Sequence, residues 1–278
     1  MDNKLSIGYS TCPNDTFIFY GLAHDLIDCR GIKFDVTLDD VETLNQIAKT
    51  GELDVSKLSF AALGHLQDTY GLLRSGAAIG RGCGPLVIAR PGYDLKELSS
   101  KKVAVPGVLT TASLLLGLYV SGIPAAVPIP FDQIMPAVQK GDFDFGVIIH
   151  EGRFTYGEYG LVNLVDLGKW WEEETSLPIP LGGIAVHRRI DSVTAKNMDD
   201  AIRKSVLYAF KNPDLADKYI MKYAQEMSRS VVKQHIDLYV NDFTLDMGEE
   251  GADAVNRLFD LSREKGIIPR SSLPLFAY

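Results

Sequence analysis

The sequence predicts an α/β protein of two similarly built lobes with a ligand cleft between them. Residues 48–60 read AKTGELDVSKLSF and residues 138–150 read VQKGDFDFGVIIH. Each segment runs from a helix end through Gly, an acid, an apolar residue and Asp into a strand. The segments before them also agree, since in each a strand leads into a helix. At 278 residues, the chain also exceeds the size at which one core usually stops growing.

The elements of the first lobe follow from short apolar runs alternating with helix-like segments. The predicted strands are KLSIGYS (4–10), KFDVTL (33–38) and DVSKLSF (54–60). Helices are expected over about 15–26, 41–49 and 63–70. Such alternation is typical of mainly parallel sheets covered by helices on both faces.

The second lobe repeats this order. Its predicted strands are KKVAVPG (101–107), VPIP (127–130) and FDFGVIIH (143–150), and TASLLLGLYVSG (111–122) is its first helix. LGGIAVHRR (181–189) returns the chain toward the first lobe. Residues 193–265 form three or four helices, broken at 212–213 and 247–251. We therefore expect lobe 1 at residues 1–92 and 190–278, and lobe 2 at residues 93–189.

Composition and net charge limit which binding partners and which cell compartment we expect for this protein. The net charge is −8 without a long basic run, which disfavours nucleic acid and anionic membranes. The start, MDNKLSIGYS, lacks the apolar core of a signal peptide, and no apolar run could span a bilayer. The three cysteines, Cys12, Cys29 and Cys83, form no close pair, which favours reduced thiols in the cytoplasm. A homodimer is one assembly that the sequence allows.

Ligands of such sheets bind beyond the carboxyl ends of the strands. In the second lobe, PGVLTTASLLL places Thr110, Thr111 and Ala112 at a helix start, where free N–H groups and the helix dipole favour an anion. The alternative is that Thr110 merely caps the helix. In the first lobe, STCPNDTF offers Ser10, and it offers Asn14 and Asp15 as hydrogen-bonding groups or simple caps.

One histidine is a candidate for proton transfer. His150 follows the apolar run at residues 147–149 at the end of a predicted strand, so it lies at the rim of the predicted cleft. Imidazole titrates near neutral pH, which suits proton transfer. A structural histidine is the competing interpretation. The other histidines show no HxxxH or HxH spacing, so no metal site is predicted. Cys12 has no histidine near it in sequence and is interpreted as a small buried thiol.

Several motifs resemble one enzyme family over nearly the whole chain. The most specific are YSTCPNDTFIFYGL, DDVETLNQ, KLSFAA, RSGAAIGRGCGPLV, PGVLTTA, IIHEGRFTYGEYGL and DLGKWWEEETSLPIPLGG. Together they resemble the 1,4-dihydroxy-6-naphthoate synthases of the futalosine route to menaquinone.

The resemblance implies a two-lobed fold like that of type II periplasmic binding proteins, used by a cytoplasmic enzyme. It implies a lyase that cleaves the small-molecule substrate cyclic dehypoxanthine futalosine to 1,4-dihydroxy-6-naphthoate, with no metal or organic cofactor. The family's base corresponds to His150. Its ligand-holding residues correspond to Ser59 and to the helix start at Thr110, Thr111 and Ala112, and its CPND loop corresponds to the segment with Asn14 and Asp15.

Two alternatives stay open at this point. A sister enzyme with the same fold dehydrates chorismate, although IIHEGRFTY and CPNDTF favour the naphthoate synthase. A solute-binding protein that catalyses nothing is the other, and it should carry a signal peptide or a lipid-anchor cysteine. We also expect the two lobes to hinge at the glycines of GRGCGP (80–85) and to assemble the site when they close.

Overall fold

A computed structural model describes residues 4–120, 126–224 and 228–278 of the chain. The strands are β1 (Lys4–Ser10), β2 (Lys33–Asp39), β3 (Val55–Ser59), β4 (Tyr70–Leu72), β5 (Ala78–Gly80), β6 (Leu86–Ala89), β7 (Val103–Val105), β8 (Ala126–Pro128), β9 (Phe145–Ile148), β10 (Val162–Asp166) and β11 (Ile179–His187). The helices are α1 (Pro13–Ala23), α2 (Val41–Ala48), α3 (Phe60–Leu66), α4 (Thr111–Tyr119), α5 (Ile134–Lys140), α6 (Gly152–Thr155), α7 (Leu167–Thr175), α8 (Ser192–Lys211), α9 (Pro213–Tyr223), α10 (Arg229–Tyr239), α11 (Asp242–Leu245) and α12 (Gly248–Glu264).

The strands form two sheets, which confirms the predicted α/β fold. The first sheet has the order β2-β1-β3-β11-β4, with β5 also paired to β11, and the second has the order β10-β6-β9-β7-β8. In each lobe the βαβ units pair in parallel, β1 with β2 and β3, and β7 with β8 and β9. Antiparallel pairs are added by β4, β5, β6, β10 and β11, because these strands carry the chain between or around the sheets.

The near-repeat occupies equivalent places in the two lobes. Gly51 and Gly141 both follow a helix with positive φ, 72° and 91°, a conformation that favours glycine. The carboxylate of Asp54 accepts the backbone N–H of Ser6 at 2.9 Å, and that of Asp144 accepts the N–H of Lys102 at 3.3 Å. Each Asp thus ties the third strand of its lobe to the start of the first strand.

Sheet membership bears on the lobe boundaries. β6 lies within predicted lobe 1 but pairs in the second sheet, and β11 lies within predicted lobe 2 but pairs in the first. We therefore propose that the chain crosses between lobes at residues 81–85 and again at residues 167–178. The first crossing is fastened by Arg153, whose guanidinium donates to the carbonyls of Gly84 and Gly82 at 3.0 and 3.2 Å.

Other boundaries differ from expectation by a few residues. The third helix begins at Phe60 rather than Leu63, and Tyr70, expected at its end, begins β4. Five helices, rather than three or four, fill the described part of residues 192–264. Asp242–Leu245 is a single turn that follows Asn241, and the Asn241 side chain caps it. Short turns of this kind leave little periodic pattern in a sequence.

One core extends through both lobes. A continuous cluster of buried side chains joins Leu58 and Phe60 of the first lobe to Val103, Phe145 and Trp171 of the second. A second cluster packs the outer face of the first sheet against α1, α8, α9 and α10. The shared core fixes the floor of the cleft, and α12 adds a contact to α4.

Candidate active site

A cavity of about 90 Å³ lies between the lobes, at the carboxyl ends of β1, β3, β7 and β9. Its walls include every residue predicted for the site: Ser10, Asn14, Asp15, Ser59, Thr110, Thr111, Ala112 and His150. The structure therefore brings together residues from four separate strand ends. Sites for small molecules usually measure about 300–1,000 Å³, so the cavity as it stands is small for a substrate of nucleoside size.

The first-lobe wall is a network of side chains around Asp15. The Asp15 carboxylate accepts from the Ser10 hydroxyl at 2.7 Å and from the Asn14 amide at 2.9 Å. The capping alternative for Asn14 and Asp15 is wrong. The N-cap is Cys12, without a side-chain cap, and both residues lie in the first turn of α1 after Pro13. Their side chains turn toward the cleft instead.

A buried ion pair anchors this network. The ammonium of Lys57 on β3 donates to the Asp15 carboxylate, and both side chains are almost fully buried. A charge taken out of water is stable only when it is paired and hydrogen-bonded, so each member holds the other in place. Lys57 also lines the cavity. A charged residue inside the otherwise uncharged strand VSKLS was a signal that could have identified it.

Ser59 is held by a second residue that the sequence analysis missed. The Asn45 side chain, buried on α2, accepts the Ser59 backbone N–H at 3.0 Å and donates to the Ser59 hydroxyl at 3.1 Å. It also reaches the Leu109 carbonyl of the other lobe at 3.4 Å. Asn45 thus positions Ser59 and links the two sides of the cleft.

In the second lobe, Thr110 caps α4. Its hydroxyl accepts the Ser113 N–H at 3.3 Å and donates to the Gly107 carbonyl at 2.8 Å. The Thr111 hydroxyl crosses the cleft, donating to the Leu181 carbonyl at 2.6 Å and accepting the Ala61 N–H at 3.3 Å. Capping and ligand binding are compatible here, because the backbone N–H groups of Thr111 and Ala112 have no partner within the helix. Thr111 and Ala112 line the cavity at the positive end of a nine-residue helix.

His150 lies in the turn after β9 with φ 53°, a left-handed conformation uncommon outside glycine. Its Nε2 is 3.5 Å from the Cys12 Sγ of the first lobe, and its ring packs edge-on against Phe131 at 5.2 Å between centroids. Desolvation lowers the His150 pKa to about 4, opposed by the nearby carboxylate of Asp15. The ring is therefore neutral at physiological pH and able to accept a proton.

The contact with Cys12 joins residues 138 positions apart, so no local pattern in the sequence predicts it. Burial raises the pKa of the Cys12 thiol well above its usual value, and the nearby Glu151 raises it further. The thiol consequently stays protonated. It is a small polar neighbour of His150 rather than a thiolate nucleophile.

Helix α10 supplies the remaining wall through His235 and Tyr239, which the sequence analysis did not place in the site. Their spacing of four residues puts both on one face of the helix, but the spacing does not show that this face packs against the cleft. The rings of His150 and His235 stack with 5.9 Å between centroids. Across the described ranges, no group of three or more His, Cys, Asp or Glu residues could hold a metal ion, and no helix is long and apolar enough to cross a membrane.

The fold belongs to the class of two-lobed proteins that resemble periplasmic binding proteins. A Candida albicans protein described as having the generic periplasmic binding protein fold superimposes with a TM-score of 0.70 at 13% identity, covering 97% of this chain and 92% of its own. A crystal structure of an Archaeoglobus fulgidus protein superimposes with a TM-score of 0.90 at 37% identity, covering 96% and 99%.

Sequence comparison identifies the family. Residues 5–264 match a family model described as menaquinone biosynthesis, and the chain belongs to that family. A 1,4-dihydroxy-6-naphthoate synthase of Thermus thermophilus is 48% identical over 98% of both chains. A synthase of the same name from Streptomyces coelicolor is 44% identical over 96% of this chain and 95% of its own.

Proposed function

We propose that this chain is a 1,4-dihydroxy-6-naphthoate synthase, a lyase that cleaves cyclic dehypoxanthine futalosine and releases a sugar-derived fragment. The main support is the similarity to two relatives of that name, which covers 98% and 96% of this chain. The site supports it, because all eight predicted residues line one cavity between the lobes. The reaction is expected to take place in the cytoplasm.

His150 is the proposed general base. It removes a proton from a carbon or hydroxyl of the substrate, and its neutral ring is ready to do so at pH 7. The imidazolium that forms is disfavoured by desolvation. The carboxylate of Asp15 favours it, the ammonium of Lys57 disfavours it, and the carboxylate of Asp40 favours it to a smaller extent.

The substrate carboxylate is proposed to bind at the start of α4. There the amides of Thr111 and Ala112 and the helix dipole favour an anion. Among the described residues that line the cavity, the only cation is Lys57, and Asp15 already neutralises it. The carboxylate therefore gains more at α4, and the hydroxylated, sugar-derived part of the substrate extends toward the first lobe.

Closure of the cleft would exclude water from these groups and so strengthen the hydrogen bonds that stabilise an enolate-like intermediate. In the structure, hydrogen bonds already cross the cleft from Thr111 to Leu181 and from Leu109 to Glu42, the latter at 3.2 Å. We propose that these bonds break to admit the substrate and re-form around it.

Incubation of the purified protein with cyclic dehypoxanthine futalosine, with product followed by chromatography, tests the proposal. We expect 1,4-dihydroxy-6-naphthoate to appear, and the H150N variant should form it far more slowly. A parallel incubation with chorismate separates the two enzymes. Conversion of chorismate alone, or tight binding of either compound without turnover, would overturn the assignment.

A further inference from the structure

A buried chain of polar side chains connects Lys57 to His235. Lys57 donates to Asp15, and the Asn14 amide donates to the same carboxylate at 2.9 Å. Asn14 Oδ1 lies 2.9 Å from Nε2 of His235. His235 is fully buried, and it enters from α10, far from the other members in sequence.

The order of donors and acceptors fixes the tautomer of His235. Because the carboxylate of Asp15 can only accept, the Asn14 NH₂ group faces it, and the carbonyl oxygen of Asn14 faces the histidine. The His235 Nε2 must then carry the proton. Desolvation lowers the His235 pKa well below its usual value, and the neighbouring His150 and Lys57 lower it further, so Nδ1 keeps its lone pair.

Among the described residues, the lone pair of His235 Nδ1 has no hydrogen-bond donor, although the atom is buried. Buried polar atoms are almost always paired, and an exception calls for an explanation. The His235 ring lines the cavity beside His150 and Tyr239, so a ligand in the cavity would lie against this ring.

We propose that His235 Nδ1 accepts a hydrogen bond from a hydroxyl of the sugar-derived part of the substrate and thereby sets the direction in which the substrate lies in the cleft. The proposal rests on the proposed function. A neutral acceptor selects a donor and repels a carboxylate, whereas the amides at the start of α4 do the reverse. The two ends of the cavity therefore differ in hydrogen-bonding character. His150 stacks on His235, so a hydroxyl held there lies next to the proposed base.

Two substitutions separate the two nitrogens of the ring. H235Q keeps a donor near Nε2 for Asn14 and removes the acceptor at Nδ1, whereas H235N keeps an acceptor near Nδ1 and loses the bond to Asn14. H65Q, at an exposed histidine of α3, is the matched control. Steady-state kinetics with cyclic dehypoxanthine futalosine and binding of 1,4-dihydroxy-6-naphthoate, which lacks the sugar-derived part, are measured for each.

We expect H235Q to raise KM for the substrate about tenfold, the loss of one hydrogen bond, with little change in the product Kd. H235N should keep more of the substrate affinity than H235Q does. A KM for H235Q equal to that of the control, or equal losses for substrate and product, would overturn the proposal. An inactive wild type would overturn the proposed function instead, and this inference with it.

If neither variant folds, NMR of ¹⁵N-labelled histidine tests the hydrogen bond in a protein that keeps His235. The Nδ1 resonance of His235 should move upfield when the folded H150N variant, used to slow turnover, is saturated with cyclic dehypoxanthine futalosine. An unmoved resonance in the saturated protein would reject the hydrogen bond.

Discussion

The turn after β1 and the turn after β7 occupy equivalent places in the two lobes, yet they line the cleft with different chemistry. In the first lobe, Ser10, Asn14 and Asp15 bond to one another and to a buried lysine. In the second, Thr110 caps a helix whose first residues, Thr111 and Ala112, line the cavity. The first turn is a closed side-chain network with one unused acceptor at its end, and the second is a set of backbone donors.

This difference shows how a duplicated framework can bind a molecule with two unlike ends. The framework is set by the Gly–acid–apolar–Asp unit, which places Asp54 and Asp144 identically. The chemistry is set by the residues that follow it. The near-repeat aligns Lys57 with Val147 and Phe60 with His150, so only the first lobe has a cation within its third strand and only the second has a base after it.

The largest expected effect comes from His150, which the first lobe does not match. H150N should lower turnover by about 10²–10⁴-fold with the fold intact, because the proton acceptor is lost. Asparagine suits the test because it tolerates the positive φ of this position better than most residues do. Discontinuous activity assays measure the turnover, and circular dichroism shows whether the fold is intact. A folded H150N enzyme with wild-type turnover would remove His150 from its proposed role.

The next largest effect is on stability, and it compares the contributions that the side chains around the two turns make to the free energy of unfolding. K57M leaves the Asp15 carboxylate buried and unpaired, which should cost about 3–5 kcal/mol of unfolding free energy in urea titrations. T110A removes only a helix cap and should cost about 1 kcal/mol.

A double variant, K57M with D15L, is the control for the first-lobe network. Replacing both charges with apolar groups of similar size should recover much of the stability that K57M loses. A larger loss for T110A than for K57M would reverse the comparison between the lobes.

A smaller, pH-dependent effect follows from the lowered pKa of His150. The unfolded chain binds a proton at this residue below about pH 6.5, whereas the native protein does so only below about 4. Relative to H150N, the wild type should therefore lose stability as pH falls from 6.5 toward 4, and the difference should level off below that. His235 is present in both proteins, and burial holds its pKa well below the usual value in each. A difference that is constant over this range would contradict the lowered pKa.

The smallest effect concerns the bonds that cross the cleft. T111V removes the hydroxyl that joins α4 to the Leu181 carbonyl and the Ala61 N–H, and it leaves the Thr111 amide in place. We expect about 1 kcal/mol weaker binding of 1,4-dihydroxy-6-naphthoate in calorimetric titrations, because the closed form loses a bond. S113A, at a hydroxyl that bonds only within the second lobe, is the matched control.

Solution scattering shows whether the lobes move at all. With a hinge at residues 80–85, product should reduce the radius of gyration of the wild type. The shared core and the contact of α12 with α4 favour a rigid pocket instead. An unchanged radius with and without product would leave the rigid alternative standing and remove the hinge.

The sequence predicted the two-lobed framework because local signals specify it. Alternating strands and helices, and glycines after helices, depend on residues close together in the chain. The strand-end rule then found Ser10, Thr110 and His150, since the carboxyl ends of parallel strands converge whatever the rest of the fold, and the family resemblance added Ser59. All four line the cavity.

The missed residues reach the cavity through long-range packing. His235 and Asn14 are 221 positions apart, and Cys12 and His150 are 138 apart. No local pattern records which face of α10 packs against the cleft. The tautomer of His235 depends on three successive partners, so it could be assigned only after the fold had brought them together.

A crystal structure of the protein with bound 1,4-dihydroxy-6-naphthoate tests the division of labour between the two lobes most directly. The account predicts the carboxylate within hydrogen-bond distance of the Thr111 and Ala112 amides at the start of α4, with the ring system beside His150 and the space next to His235 left for the released fragment. A carboxylate bound to Lys57 in the first lobe, with the α4 amides facing only water, would contradict it.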